Sequence, residues 1–527
     1  MMTPIREPVD PARMVKNALK IPSFICIFLL AAAACRSPKP AAPIELSELT
    51  VARIHAAYEN GEYGSKELVR AYLDRIAKLN DRINALTTIN PEALSIAEKL
   101  DKEFAATGRL RPLHGIPLIV KDNINTHGLP TTAGALALAD FVPQEDAFII
   151  QRLVEAGAII LAKSNMAEWA FSPMHTESST AGTTRNPYNL DFVPAGSSGG
   201  TGAAIAANLG TIGLGTDTGN SIRGPSSHNA LVGFRTTLGL VSRSGIVPLY
   251  LRNDVVGPMC RTVEDAVRVL DVIAGYDPAD PLTKHSDGKI PESYSRFLDK
   301  DGLKGARIGV FRTLSEKDAD PEISRLFDQA LADMEGLGAV IVDPVEVENF
   351  ETLRRDQWCP TFRDDLETFL ATYVKKDTPK TLEDVIRAGT KSEYVKTRMG
   401  AFAEKKGRWE DPDIECGDAY SDVKRIAFRE AIEKAMDTLR LDAVVYPTWN
   451  HKPARIELFQ EEYKGDNSQI IAPHTGQPAF TVPMGFTSGD LPAGLQLLGR
   501  MYSEPTLIKL AYAYEQGTRH RKPPSLE

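Results

Sequence analysis

Long apolar runs, paired cysteines and basic stretches are what this chain has least of. Five cysteines occur in 527 residues. Two of them, Cys26 and Cys35, fall in the first apolar run, which leaves Cys260, Cys359 and Cys416 for the body. Three cysteines without CxxC spacing exclude a disulfide framework and a zinc site, and leave room for one bridge that spacing does not assign. No concentrated cationic stretch accompanies the formal charge of −9, which argues against a nucleic-acid surface. The 14-residue run Ile21–Ala34 is shorter than the roughly 20 residues that span a bilayer.

That run follows Arg13, Lys16 and Lys20 and ends in Ala32-Ala33-Ala34-Cys35, the layout of a secretory leader. It is similar to a bacterial lipobox, with Cys35 as the lipid-attachment residue. The expected organisation is a leader over 1–34, a Pro-rich tether over 35–43 and a body over 44–520. Export to the cell envelope, with a lipid anchor at Cys35, is the expected localisation.

The body opens with helical periodicity from Ile44 to Asn80, with Ser65 as an N-cap candidate, and a further helix over Pro91–Thr107. From Leu113 short buried strands alternate with helices. Pro117–Val120 precedes Lys121, a helix covers Phe148–Ala156, and AGAIILAKSN follows as a strand. That alternation predicts an α/β fold. Residues from about 277 to 440 carry short strands near Ala306 and Val340 and a charged helical excursion, either solvated surface helices or the cover of a pocket. Apolar strands return in LDAVVYPTW, TGQPAFTVPMGF and GLQLLGR before a last helix over Glu504–Gln516.

The densest signal is Ala195–Arg223, AGSSGGTGAAIAANLGTIGLGTDTGNSIR, with eight glycines and seven serines or threonines. Glycine at this density lets backbone approach backbone or substrate closely. No lysine follows in the G-x-x-x-x-G-K-[ST] order, so it is not a phosphate-binding P-loop. Gly196–Gly200 formally fits G-x-S-x-G with Ser198 as nucleophile. That motif needs a strand directly before it, and NPYNLDFVPA, with two prolines, reads as loop. A third possibility combines Ser197, Ser221 and Lys121. A serine hydroxyl needs a base, and a lysine can be one if burial without a carboxylate partner lowers its pKa. The plainer reading pairs Lys121 with the adjacent Asp122, and makes Ser197 a turn residue.

An ordered set of segments decides between them: HGIPLIVKDNI, TTAG, GAIILAKSNMAEWA, AGSSGGTGAAIA, GLGTDTGNSIRGPS, GLVSRSGIVP, GPMCRTVEDA and TGQPAFTVPMGF…LPAGLQLLGR. Together they resemble the amidase signature family across nearly all of Ile44–Gln516. The resemblance implies a large mixed, mostly parallel central sheet covered by helices on both faces. It implies hydrolysis of a small-molecule or peptide-like amide, with no cofactor and no metal. Lys121 would be the general base, Ser197 the proton relay and Ser221 the acyl-forming nucleophile. The N–H groups of Thr218, Gly219, Asn220 and Ser221 would hold the oxyanion, with Ser198, Asp217 and Arg223 supporting the loops. Trp169, Ala170 and Phe171 fall where the family contacts substrate. The family commonly carries glycine at the positions of Asn220 and Ala195, so the Asn220 side chain is expected to alter the pocket. The family also contains the A-type subunit of glutamyl-tRNA amidotransferase, a second possible role, which would bring partner subunits and tRNA. Oligomeric state is not legible.

Overall fold

The computed structural model describes residues 43–359, 361–375, 379–404 and 416–526. The leader, Cys35 and nearly all of the tether lie outside the described residues.

Helix α1 (Val51–Glu59) starts at Thr50, whose hydroxyl accepts from Arg53 N, and buries Val51, Ile54, Ala57 and Tyr58 along one face. Helix α2 (Ser65–Ile83) begins one residue earlier than its sequence suggests: Gly64 is the N-cap and Ser65 the first helical residue. Its unpaired N–H groups are satisfied from outside. Asp101, on α3 (Ala93–Thr107), accepts from Ser65 N at 2.6 Å and Lys66 N at 3.0 Å. That distant carboxylate removes the need for a capping hydroxyl at Ser65.

The sheet strands are β1 (Leu86–Ile89), β2 (Pro117–Lys121), β3 (Ile159–Ser164), β6 (Ile212–Asp217), β7 (Val232–Arg235), β8 (Val255–Cys260), β9 (Arg307–Val310), β10 (Val340–Val342), β11 (Ala443–Pro447), β12 (Ala479–Thr487) and β13 (Leu491–Leu498), while β4 (Glu177–Ser178) and β5 (Gly182–Thr183) form a separate ribbon. These eleven strands make one sheet in the order β1-β3-β2-β6-β8-β7-β12-β13-β11-β9-β10. All residues of β2, β3, β6, β7, β8, β11 and β13 are buried, so both faces of the sheet are covered. The sheet is mixed, as expected, but parallel pairing is confined to two blocks, β3-β2-β6 and β11-β9-β10. The remaining junctions are antiparallel. Helical crossovers dictate parallel neighbours within the blocks; helix α4 (Phe148–Glu155) is the one between β2 and β3. The β12–β13 connection spans only Ser488–Asp490 and can join only antiparallel strands.

β9 and β10 belong to this sheet, so the excursion proper starts after β10. It is no loose surface appendage. Helices Phe362–Tyr373, Leu382–Ala388 and Glu393–Glu404 supply Phe362, Leu366, Phe369 and Phe402 to a second apolar cluster shared with Trp169 and Phe171. A disulfide joins Cys359 to Cys416, with Cα atoms 6.0 Å apart, while Cys260 is free and buried. Cross-linking positions 57 residues apart restricts the unfolded chain, worth about 4 kcal/mol in the loop-entropy picture. Among the described residues no helix is long and apolar enough to cross a membrane.

Candidate active site

β2 and β6 lie side by side and parallel, with Val120 opposite Leu214. Their carboxyl ends therefore open into one crevice, the usual ligand position in an α/β sheet. Lys121 is the last residue of β2, and Thr216-Asp217 close β6. Two loops meet there: Ala195–Ser198, which enters helix α5 (Gly199–Ala206), and Thr218–Ile222, which enters helix α6 (Arg223–His228).

The glycines of the first loop are demanded by close approach. A Cβ at Gly196 would stand 2.4 Å from the carbonyl oxygens of Ser172 and His175, and one at Gly200 2.1 Å from Asn165 O. Ala195 has φ of 60°, a left-handed conformation that suits glycine better. Asn220 is absent from the positive-φ residues, so the backbone there does not call for glycine. What distinguishes Asn220 is its side chain.

Lys121 is wholly buried, and its Nζ lies 2.7 Å from Ser197 Oγ. It also donates to Thr216 Oγ1 at 2.8 Å, and Asn123 Nδ2 donates to that same hydroxyl at 3.1 Å. No carboxylate forms an ion pair with Lys121 among the described residues. Asp122 instead faces Lys163, at 3.6 Å. Asp122 lies just past the end of β2, where the chain has begun to turn, so the adjacent pair does not meet. Burial brings Lys121 down to about 7, against the weaker opposing pull of Asp217 and Asp254.

Ser198 Oγ donates to Thr216 O at 3.2 Å and so ties the first loop to β6. Asp217 holds the second loop. Its carboxylate takes Arg223 Nε at 3.1 Å, Arg235 Nη1 at 2.9 Å and Ile222 N at 3.2 Å. Burial alone would raise its pKa, but the two guanidinium groups hold it down at about 2. Arg223 Nη2 further donates to Gly219 O at 2.6 Å, and Thr218 Oγ1 to Asp254 Oδ1 at 2.5 Å. Across the turn the N–H groups of Thr218, Gly219, Asn220 and Ser221 donate to no protein acceptor among the described residues. Preorganised, unengaged donors of this kind are suited to stabilise an oxyanion.

Ser221 is 4% exposed. It lines a cleft of about 440 Å³ together with Thr218, Gly219 and Asn220. Its hydroxyl donates to Asn220 Oδ1 at 3.4 Å, and Ser197 is not within hydrogen-bond reach of it. Asn220 Nδ2 donates to Asp466 Oδ2 at 3.0 Å and Pro173 O at 3.3 Å, which fixes the amide at the cleft.

Of the three residues expected to contact substrate, Ala170 and Phe171 line the cleft and Trp169 does not. The Trp169 indole packs edge-on to Phe362 in the second apolar cluster. With φ of 55° at Trp169 and 59° at Ala170, the chain turns sharply between the two roles. Sequence reasoning missed Thr216, Tyr250, Trp358, Tyr394, Arg398, Tyr463 and Gln469. Thr216 could have been found as the hydroxyl beside Asp217 in the same motif. The others come from segments without a local signal.

The site thus brings together a buried lysine with a lowered pKa beside a serine, and a second serine on a turn of free N–H groups, on an α/β sheet. The Amidase family model matches residues 67–508, and the chain belongs to this family, the amidase signature enzymes. It is a hydrolase of amide carbon–nitrogen bonds. The native peptide amidase from Stenotrophomonas maltophilia is similar in structure, with a TM-score of 0.81 and 38% identity over 91% of this chain and 99% of that one. A probable amidase of Arabidopsis thaliana is 36% identical over 91% of this chain and 92% of its own length. The A-type subunit of the glutamyl-tRNA(Gln) amidotransferase of Microcystis aeruginosa is 34% identical over 90% and 99% respectively.

Proposed function

We propose that the protein cleaves a carboxamide or peptide-like amide through an acyl-enzyme on Ser221. The observation that carries this reading is Lys121, buried, without a carboxylate partner and 2.7 Å from Ser197. Ser221 Oγ attacks the scissile carbonyl carbon. Its proton passes to Ser197, whose own proton passes to the neutral amine of Lys121. Charge building on the carbonyl oxygen is met by the N–H groups of the Thr218–Ser221 turn. As the tetrahedral adduct collapses, the C–N bond breaks and the departing nitrogen recovers the proton by the same route. Water then attacks the ester, and the carboxylic acid leaves.

Ser221 must swing from Asn220 Oδ1 towards Ser197 for the relay. The bond it gives up is long at 3.4 Å, so exchanging it costs little. The peptide amidase likeness favours a peptide-like substrate, and the aromatic lining from Phe171, Tyr250 and Tyr394 agrees with one.

The relatives named as A-type amidotransferase subunits favour a second reading, in which the chain acts with partner subunits on glutamyl-tRNA. Export, with lipid on Cys35, belongs with the stand-alone enzyme. Mass spectrometry of the mature N-terminus and co-purification from fractionated cells separate the two. The decisive test of the chemistry is Ser221→Ala, which abolishes amide hydrolysis and labelling by a fluorophosphonate probe. Labelling that persists in the folded variant overturns the assignment.

A further inference from the structure

Trp358, within the excursion stretch Gln357-Trp358-Cys359, shares the cleft with Ala170. Trp358 lines the cleft and is nonetheless 46% exposed, unusual for a large aromatic ring. One edge meets the His474 ring, centroids 4.6 Å apart and nearly perpendicular, and Tyr250 lies 6.1 Å away. Its far edge reaches the catalytic turn: a Cβ at Gly219 would come within 3.2 Å of Trp358 Cη2. An indole so placed offers an open apolar face beside the nucleophile.

Anchors on either side hold this stretch in place. Upstream, the Gln357 carbonyl accepts from Arg425 Nη2 at 3.2 Å, and the same guanidinium holds Asn253 Oδ1 at 2.6 Å. Downstream, Cys359 is covalently tied to Cys416. The connection from Trp358 to Cys359 is one peptide bond, so the disulfide fixes where the ring can sit.

We propose that Trp358, positioned by the Cys359–Cys416 disulfide, sets a preference for amides carrying an aromatic or bulky apolar group next to the scissile carbonyl. Loss of the disulfide relaxes that preference. The reading rests on the cleft at Ser221 being the substrate site. An aromatic substrate group stacks on the exposed indole face, an interaction a small substrate does not make. Reduction adds two electrons and two protons from an external dithiol, returns two thiols and frees the Trp358 stretch on one side.

The test uses the full chain and two amides, N-acetylphenylalaninamide and N-acetylglycinamide. The ratio of their kcat/KM values should fall about tenfold in Trp358→Ala, chiefly through KM for the aromatic amide, and Trp358→Phe should restore most of it. Reduced wild type and the Cys359→Ser/Cys416→Ser double variant should both show a lowered ratio, with turnover of the glycine amide retained. The double variant should no longer respond to reductant, since Cys260 is buried and unpaired. Calorimetric Kd values on Ser221→Ala read the same preference without turnover. A failure of Ser221 as nucleophile appears as hydrolysis surviving in that variant, and leaves the kcat/KM comparison between wild type and Trp358→Ala intact. Equal Kd values for the two amides overturn the proposal. So does an unchanged ratio in Trp358→Ala, or in wild type once thiol titration shows the disulfide open.

Discussion

Lys121 Nζ and Ser197 Oγ stand 2.7 Å apart, both wholly buried, with no carboxylate in an ion pair with the amine among the described residues. The burial that lowers the amine also costs stability: the expected rate change centres near pH 7, whereas the stability slope runs from there towards about 10.4.

The rate should follow the neutral form of Lys121. With the group brought down to about 7, kcat/KM rises as pH passes through 7 and levels off above it. Lys121→Met should lower the rate by about 10²–10⁴-fold and flatten that rise. A pH–rate profile of both proteins checks this.

The stability sign follows from linkage. Between about 7 in the folded chain and about 10.4 when unfolded, the unfolded state binds more protons, so stability rises with pH across that window. Lys121→Met should be more stable than the wild type at pH 7 and should lack this slope. Urea unfolding at pH 7, 8 and 9 measures it.

Asp217→Asn should cost about 3–5 kcal/mol, because it leaves Arg223 and Arg235 buried without their shared counter-charge. A carboxyl held at about 2 contributes stability above its unfolded value of about 3.9, lost as pH falls through 2. Acid unfolding should therefore differ between the two proteins over that range. Equal denaturation midpoints at pH 7 would show that the loop does not depend on the pair.

Asn220 acts through its side chain, so Asn220→Gly should keep the N–H donor and retain hydrolysis while reordering preferences among amides. Asn220→Asp should be far slower. It places a carboxylate beside the developing oxyanion and against Asp466, at a position now 3.0 Å from that carboxylate. Competition assays across small and branched amides distinguish the pair.

Trp169→Ala should behave as a core deletion, lowering stability by about 3–5 kcal/mol. Any effect on rate should follow the loss of folded protein, read by calorimetry beside activity per folded molecule.

The family and the candidate site residues were legible in the chain because their signals are local. Lys121 directly follows a buried strand, and Ser197 and Ser221 sit in glycine-dense loops whose composition has no cheaper explanation. The α/β class was legible in the alternation of strand and helix. Strand order was not, since the antiparallel centre depends on how β7, β12 and β13 meet across more than 200 residues of sequence. Nor was the substrate wall. Trp358, Tyr394 and Arg398 lie in a charged stretch whose pattern is that of any surface helix, and only packing against Trp169 and Phe171 turns it over the cleft. Likewise the pairing of Cys359 with Cys416, and of Asp122 with Lys163 in place of Lys121, is decided by where backbones converge. Residue types and short spacings fix what chemistry a chain can perform. Which acid meets which base, and what shape of substrate reaches them, is set by contacts between segments far apart in sequence.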